Sequence, residues 1–176
     1  MRGLASLPHR LNPDHGTCVA IVECPQGDRC KFAYVPELGG FELKRLLPAG
    51  MTFPLNFGFI PSTKAEDGDP LDIMVINDVP LPMGAITEVR LIGSIEAEQT
   101  EEEHTVRNDR LVGVAASSLL FGGFCALDEL PLDFIDSLTS FWTQYERLRG
   151  VAFKILAVQG VRPAVAAVQK ASNAGS

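Results

Sequence analysis

Apolar residues come in short runs punctuated by Gly and Pro, a spacing that predicts strands more than helices. Thr17–Glu23 (T-C-V-A-I-V-E) and Cys30–Val35 have strand composition, and the Pro25–Asp28 turn between them predicts a hairpin. Gly39-Gly40 turns the chain into a third strand over Phe41–Leu47, which Pro48–Gly50 ends. Phe53–Pro61 carries three phenylalanines, suited to a core or to the wall of a cleft. The apolar run Ile73–Ile76 reads as a buried strand, and Ala85–Ile95 as a longer one after the Pro80–Gly84 loop. The charge run Glu96–Glu103 predicts a solvated hairpin loop, with a mobile acidic flap as the alternative, before a further strand at Leu111–Ala115. Strands at this spacing predict a small closed antiparallel barrel.

Beyond an irregular stretch, 119–130, the period changes. Phe134, Ile135, Leu138, Phe141, Trp142, Tyr145 and Leu148 recur at helical spacing between Pro131 and Gly150, which suit a helix start and stop. A strand over Val151–Val158 and a short Ala/Val-rich helix over Arg162–Lys170 follow. Residues 1–15, with Pro8 and Pro13, predict an irregular arm, and 172–176 a frayed tail. The expected class is therefore α+β, mainly β, with helices outside a barrel.

Composition narrows the function. At 176 residues and 46% apolar, one domain with a substantial core is expected over 1–176. No apolar run approaches the roughly 20 residues that span a bilayer, and the N-terminus lacks the apolar centre of a signal peptide, so a cytoplasmic protein without a membrane partner is expected. A net charge of −7 argues against nucleic acid as partner. It leaves phosphate substrates open, because bound cations can invert the local sign. Cys18, Cys24, Cys30 and Cys125 form no CxxC pair, and with His9, His15 and His104 scattered, reduced thiols are expected rather than a zinc site.

The densest chemistry is Asp67-Gly68-Asp69-Pro70-Leu71-Asp72, an acidic turn feeding the strand at Ile73. Like charges this close call for water, a cation or a multivalent ligand, and carboxylate oxygens suit hard ions such as Mg²⁺, Mn²⁺ or Ca²⁺. An EF-hand is excluded: counted from Asp67, position 5 is Leu71 and position 6 is Asp72, where an oxygen ligand and a glycine are required. From these residues alone, Glu23 and Lys31 read as a surface cross-strand pair. Arg45 offers a forked donor set suited to phosphate.

D-G-D-P-L-D-I, approached by F-P-L-N-F-G-F-I-P and preceded in order by Glu23, Lys31 and Arg45, resembles the soluble inorganic pyrophosphatases of the first family. The similarity runs from about Thr17 to Val158. It implies an OB-like five-stranded barrel and Mg²⁺-dependent hydrolysis of pyrophosphate, with Mn²⁺ as alternative ion and a homo-oligomer, commonly a hexamer. It implies Asp69 orienting or deprotonating the attacking water, and Lys31, Arg45, Arg110 and Tyr145 on phosphoryl oxygens. Asp67, Asp72, Glu23 and Asn108 fall to the metals, Glu23 acting through water or on Lys31.

The chain departs from the family pattern at several positions. Ala33 stands where an acid is usual, and Phe53 and Phe57 where tyrosines are. Asn108 and Arg110 stand where a carboxylate and a lysine are, and Glu146 where a lysine follows the helix tyrosine. Asp109, Glu98, Glu101, Glu102 and Glu103 are further candidates for a metal-binding acid. These departures leave open a second reading, a weakened or inactive member that binds a phosphate ligand or hydrolyses another diphosphate.

Overall fold

The computed structural model describes residues 3–174. Among them the order is β1 (Thr17–Cys24), β2 (Cys30–Val35), β3 (Gly40–Leu46), β4 (Asn56–Phe59), β5 (Asp72–Ile76), β6 (Ile86–Glu101), β7 (His104–Arg107), β8 (Arg110–Ala115), α1 (Leu132–Leu148), β9 (Ala152–Gln159) and α2 (Val161–Ala174). Five strands close into a ring, β1-β4-β5-β8-β6 and back to β1, so the barrel expectation holds. One pair, β5–β8, is parallel rather than antiparallel. An odd number of strands cannot alternate direction all the way round a ring, so at least one neighbouring pair must be parallel.

The ring accounts for two corrections. β1 does not form a hairpin with β2, because its edges are taken by β4 and β6; β2 pairs instead with β3 in a separate two-stranded sheet. Most of the Glu96–Glu103 run is strand, not loop. β6 continues beyond the ring, and Ser94–Thr100 pairs with β9 while Glu98–Glu101 pairs with β7. The turn shrinks to Glu102 and Glu103, both at positive φ (47° and 67°). Ladder hydrogen bonds on both edges outweigh the polarity of the side chains, most of which stay partly exposed. The tail expectation also shifts: α2 runs through Ala174, and residues 175–176 of the expected frayed tail lie outside the described residues.

Alternation along the ring strands serves two apolar clusters. Ile73, Val75 and Leu111 belong to the one that includes Ala164 and Val168 of α2, and Met74, Ile76, Val112 and Val114 to the one that includes Leu138 and Trp142 of α1. Period-two side chains thus cover both faces of the sheet, each under its own helix. The α1 stripe predicted from the sequence is the face that packs, and Trp142 at 2% exposure donates its indole N–H to Met74 Sδ at 3.1 Å. β1 and β4 approach so closely that a Cβ on Gly58 would lie 1.8 Å from the Ile21 carbonyl oxygen, which only glycine permits. The N-terminal arm, irregular apart from a 3₁₀ turn at Leu4–Ser6, is tied down where Val19 N–H donates to His9 O and Ser62 N–H to Ala5 O. No described helix is long and apolar enough to cross a membrane.

Candidate active site

All five ring strands, the β2–β3 ribbon and the last turns of α1 contribute to a cleft of about 660 Å³, within the size range of small-molecule sites. Glu23, Lys31, Arg45, Asp67, Asp69, Asp72, Asn108, Arg110 and Tyr145, spread over more than a hundred residues of sequence, all line it. These nine expected residues are therefore brought together in one cleft.

The acidic wall is a turn with its own internal bonding. Gly68 sits at φ +93°, the region that favours glycine, and Gly68 N–H donates to Ala65 O. Asp69 N–H donates to Asp67 Oδ1 at 3.1 Å, an Asx-type turn that fixes the Asp67 carboxylate against the Asp69 backbone. Thr63 Oγ1 accepts from Leu71 N–H and donates to Ile60 O, anchoring the loop to the ring. Asp72 then opens β5. Burial raises the pKa of Asp67 and of Asp72; repulsion from neighbouring aspartates adds to both, and Arg110 opposes it.

The opposing wall is basic. Lys31 and Arg45 are direct cross-strand partners on β2 and β3, beside a bulge at Lys31/Phe32. Two cations facing each other disfavour the empty ribbon and favour an anion between them. Lys31 is not at the surface, as its residue type suggested. It pairs with Glu23 at 3.2 Å and lies 4.5 Å above the Phe57 ring. A bulge between Val22 and Cys24 turns Glu23 inward, where it is 7% exposed and its other oxygen accepts Tyr34 N–H at 2.7 Å. Burial lowers the Lys31 pKa, but Glu23, Cys24 and Asp72 outweigh it, so the ammonium is held charged. Burial pushes Glu23 up against the pull of Lys31.

Tyr145 comes from the helix stripe and is both core and site. Its ring lies 5.3 Å from Trp142 and 6.2 Å from Phe53, with the Arg45 guanidinium 5.6 Å away. Burial raises its pKa, against Lys31 and Arg45, so the phenol stays a donor.

Arg110 and Asn108 line the cleft within a buried network of their own. The parallel register places Arg110 directly beside Asp72, and Arg110 is 3% exposed. Its terminal nitrogens meet Asp72 Oδ2 at 2.8 Å, Glu146 Oε1 at 3.2 Å and the Asn108 side-chain oxygen. The Asn108 amide in turn donates to Gln99 Oε1 at 2.6 Å. Glu146, 1% exposed, also pairs with Arg149. Asp109 points elsewhere, pairing with Arg107 and accepting Ala97 N–H, and of the Glu96–Glu103 run only Gln99 lines the cleft.

Among the polar lining residues, sequence reasoning missed Tyr34, Glu37, Lys44, Gln99 and Arg149. Arg149 was detectable, four residues after Tyr145 on one helix face. Gln99 carried no signal inside a run read as loop.

A hard cation could be held by the Asp67, Asp69 and Asp72 carboxylates. No three acid, His or Cys side chains among the described residues converge on one point, so water and ligand oxygens would complete its shell, the manner in which Mg²⁺ binds beside phosphates.

The comparisons point to one family. A family model described as inorganic pyrophosphatase matches residues 20–175. An inorganic pyrophosphatase of Thermus thermophilus is 33% identical over 150 residues, 85% of this chain and 83% of that protein. One of Aquifex pyrophilus is 30% identical over 96% of this chain and 94% of its own. The solved structure of an inorganic pyrophosphatase from Thermus thermophilus superimposes with a TM-score of 0.87 at 29% identity, covering 98% of both chains. One from Neisseria gonorrhoeae gives 0.88 at 27% identity over 97% of this chain and 98% of that one.

Proposed function

The chain belongs to the inorganic pyrophosphatase family, and we propose that its cleft hydrolyses pyrophosphate to two phosphates with Mg²⁺, or Mn²⁺ in its place. The observation that carries this reading is the confrontation of two walls in one cleft, Asp67, Asp69 and Asp72 against Lys31 and Arg45. A compact polyanion fits between them: its oxygens meet the cations on one side and, through bound ions, the carboxylates on the other.

Asp67 and the Asp72 oxygen turned away from Arg110 are the residues to hold a divalent ion. When bound, such an ion acidifies a coordinated water and neutralises phosphoryl oxygens. The chain's own residues do the rest. Asp69, exposed at the tip of the turn, accepts a proton from the attacking water and aims its oxygen at phosphorus. That oxygen bonds to one phosphorus, the bridging oxygen leaves with the second phosphate, and Lys31, Arg45 and Tyr145 stabilise the charge on the departing group. Glu23, with both oxygens engaged, positions Lys31. The intact set of Lys31, Arg45, Tyr145 and the three aspartates favours turnover over mere ligand binding.

The test is phosphate release from pyrophosphate with Mg²⁺. Asp69→Asn is expected to lower kcat by about 10²–10⁴-fold, the usual contribution of a positioned base. Wild-type-like activity in that variant would overturn the assignment.

A further inference from the structure

We propose that Arg110 is a resident cation of the cleft: its guanidinium fills the corner bounded by Asp72, Asn108 and Glu146, and that corner binds no divalent ion. The proposal rests on the diphosphate-hydrolysing reading of the same cleft and deepens it, dividing the site into a half that recruits metal and a half that carries its own positive charge.

Three observations carry it. The first is the placement of the charge. β5 and β8 run parallel in register Asp72↔Arg110, so the guanidinium is built in beside the carboxylate rather than swinging in from a loop. Arg110 is 3% exposed, and the Trp142 ring lies 4.5 Å from its guanidinium carbon. A planar, weakly hydrated guanidinium suits such a buried, stacked place better than an ammonium does.

The second is the use of the oxygens. The Asn108 side-chain oxygen accepts from Arg110, and Gln99 Oε1 accepts from the Asn108 amide at 2.6 Å. The two neutral side chains that could offer an ion a ligand at this corner are already committed to a chain of hydrogen bonds. Asp72 Oδ2 is committed to Arg110 at 2.8 Å.

The third is the balance of charge. Asp72 and Glu146 are matched by Arg110 and Arg149 through contacts among the four. The corner is neutral as it stands. An ion entering it would have to displace a buried guanidinium from two carboxylates and leave it unpaired, which is costly. The other half is the opposite case: none of the ion pairs among the described residues involves Asp67 or Asp69. Divalent ions are recruited there.

Arg110 is thus a fixed positive charge of the cleft, one that no chelator can strip. Glu146 and Asn108 hold it in place.

The experiment counts Mn²⁺ bound per full-length chain, by the electron paramagnetic resonance of free Mn²⁺, with methylene diphosphonate as a non-hydrolysable ligand. Asn108→Asp alone is nearly isosteric and adds a carboxylate in contact with Arg110; because the guanidinium still fills the corner, the count is expected to stay at the wild-type value. Asn108→Asp combined with Arg110→Gln and Glu146→Gln removes the resident charge and is expected to bind one more Mn²⁺ per chain, with circular dichroism confirming the fold. An extra ion in Asn108→Asp alone overturns the proposal. So does an unchanged count in a folded triple variant. The readout needs no turnover, so a protein that fails to release phosphate from pyrophosphate would sink the hydrolase reading while leaving the ion count to decide this one.

Discussion

Glu146→Leu isolates the energetic weight of the buried charge cluster. Glu146 is 1% exposed, with one oxygen on Arg110 and the other on Arg149. Removing one partner of a buried ion pair costs about 3–5 kcal/mol, because the other charge is left desolvated. Arg110 keeps Asp72 at 2.8 Å, and the Asp72 side chain retains 26% exposure, so the loss belongs at the lower end, about 3 kcal/mol. For a chain of 176 residues, that corresponds to a fall in Tm of roughly 6–12 °C, at about 2–4 °C per kcal/mol. Arg149→Leu is the control. Its side chain is 27% exposed, and a pair screened by solvent on one side contributes about 0–1 kcal/mol. Urea unfolding followed by circular dichroism near neutral pH, with calorimetry for Tm, measures both. If Glu146→Leu lies within about 0.5 kcal/mol of the parent, or above it, the reasoning is refuted: the desolvation of Glu146 would then equal or exceed what its partners return.

Two further outcomes follow from burial. Cys18 and Cys24 are buried, with burial pushing their thiols from an ordinary 9.0 up to about 12 and about 11, whereas Cys125 is exposed. A colourimetric thiol reagent near pH 8 should therefore modify Cys125 in the native protein and reach Cys18 and Cys24 only after unfolding. The same shifts set a pH dependence. Above pH 9.0 the unfolded thiols lose protons that the folded ones keep until about 11 and 12. Stability is thus full below that window and falls through it by up to about 1.4 kcal/mol per pH unit and thiol; an unfolding midpoint that holds constant from pH 9 to 11 would contradict it. Tyr145→Phe keeps the ring packing and removes only the hydroxyl. Pyrophosphate kcat/KM should drop by about one to two orders of magnitude, the worth of a hydrogen bond to a charged group, with little change in Tm; unchanged kinetics would remove Tyr145 from the substrate.

Local sequence signals marked most of the strands that pack and the residues that line the cleft. Short apolar runs with Gly and Pro between them are local signals, and they marked β1, β2, β3, β5, β8 and the stripe of α1 close to their final bounds. Asp67, Asp69 and Asp72 were legible for the same reason, since their crowding is visible within six residues. Tertiary structure decided everything that depends on which edge a strand offers. Closing the ring used both edges of β1, so β2 had to pair with β3, and that ribbon set Lys31 opposite Arg45. The extension of β6 turned a charge run into strand and brought Gln99 to the cleft, because ladder bonds to β7 and β9 act on the backbone and are indifferent to side-chain polarity. A bulge, not a propensity, turned Glu23 inward and changed a surface pair into a buried one. The role of Arg110 was the least visible of all. Its partners lie 38 residues before it and 36 after it in the chain, as the numbering of Asp72 and Glu146 gives, and only the parallel register of β5 with β8 and the packing of α1 put the three charges within contact.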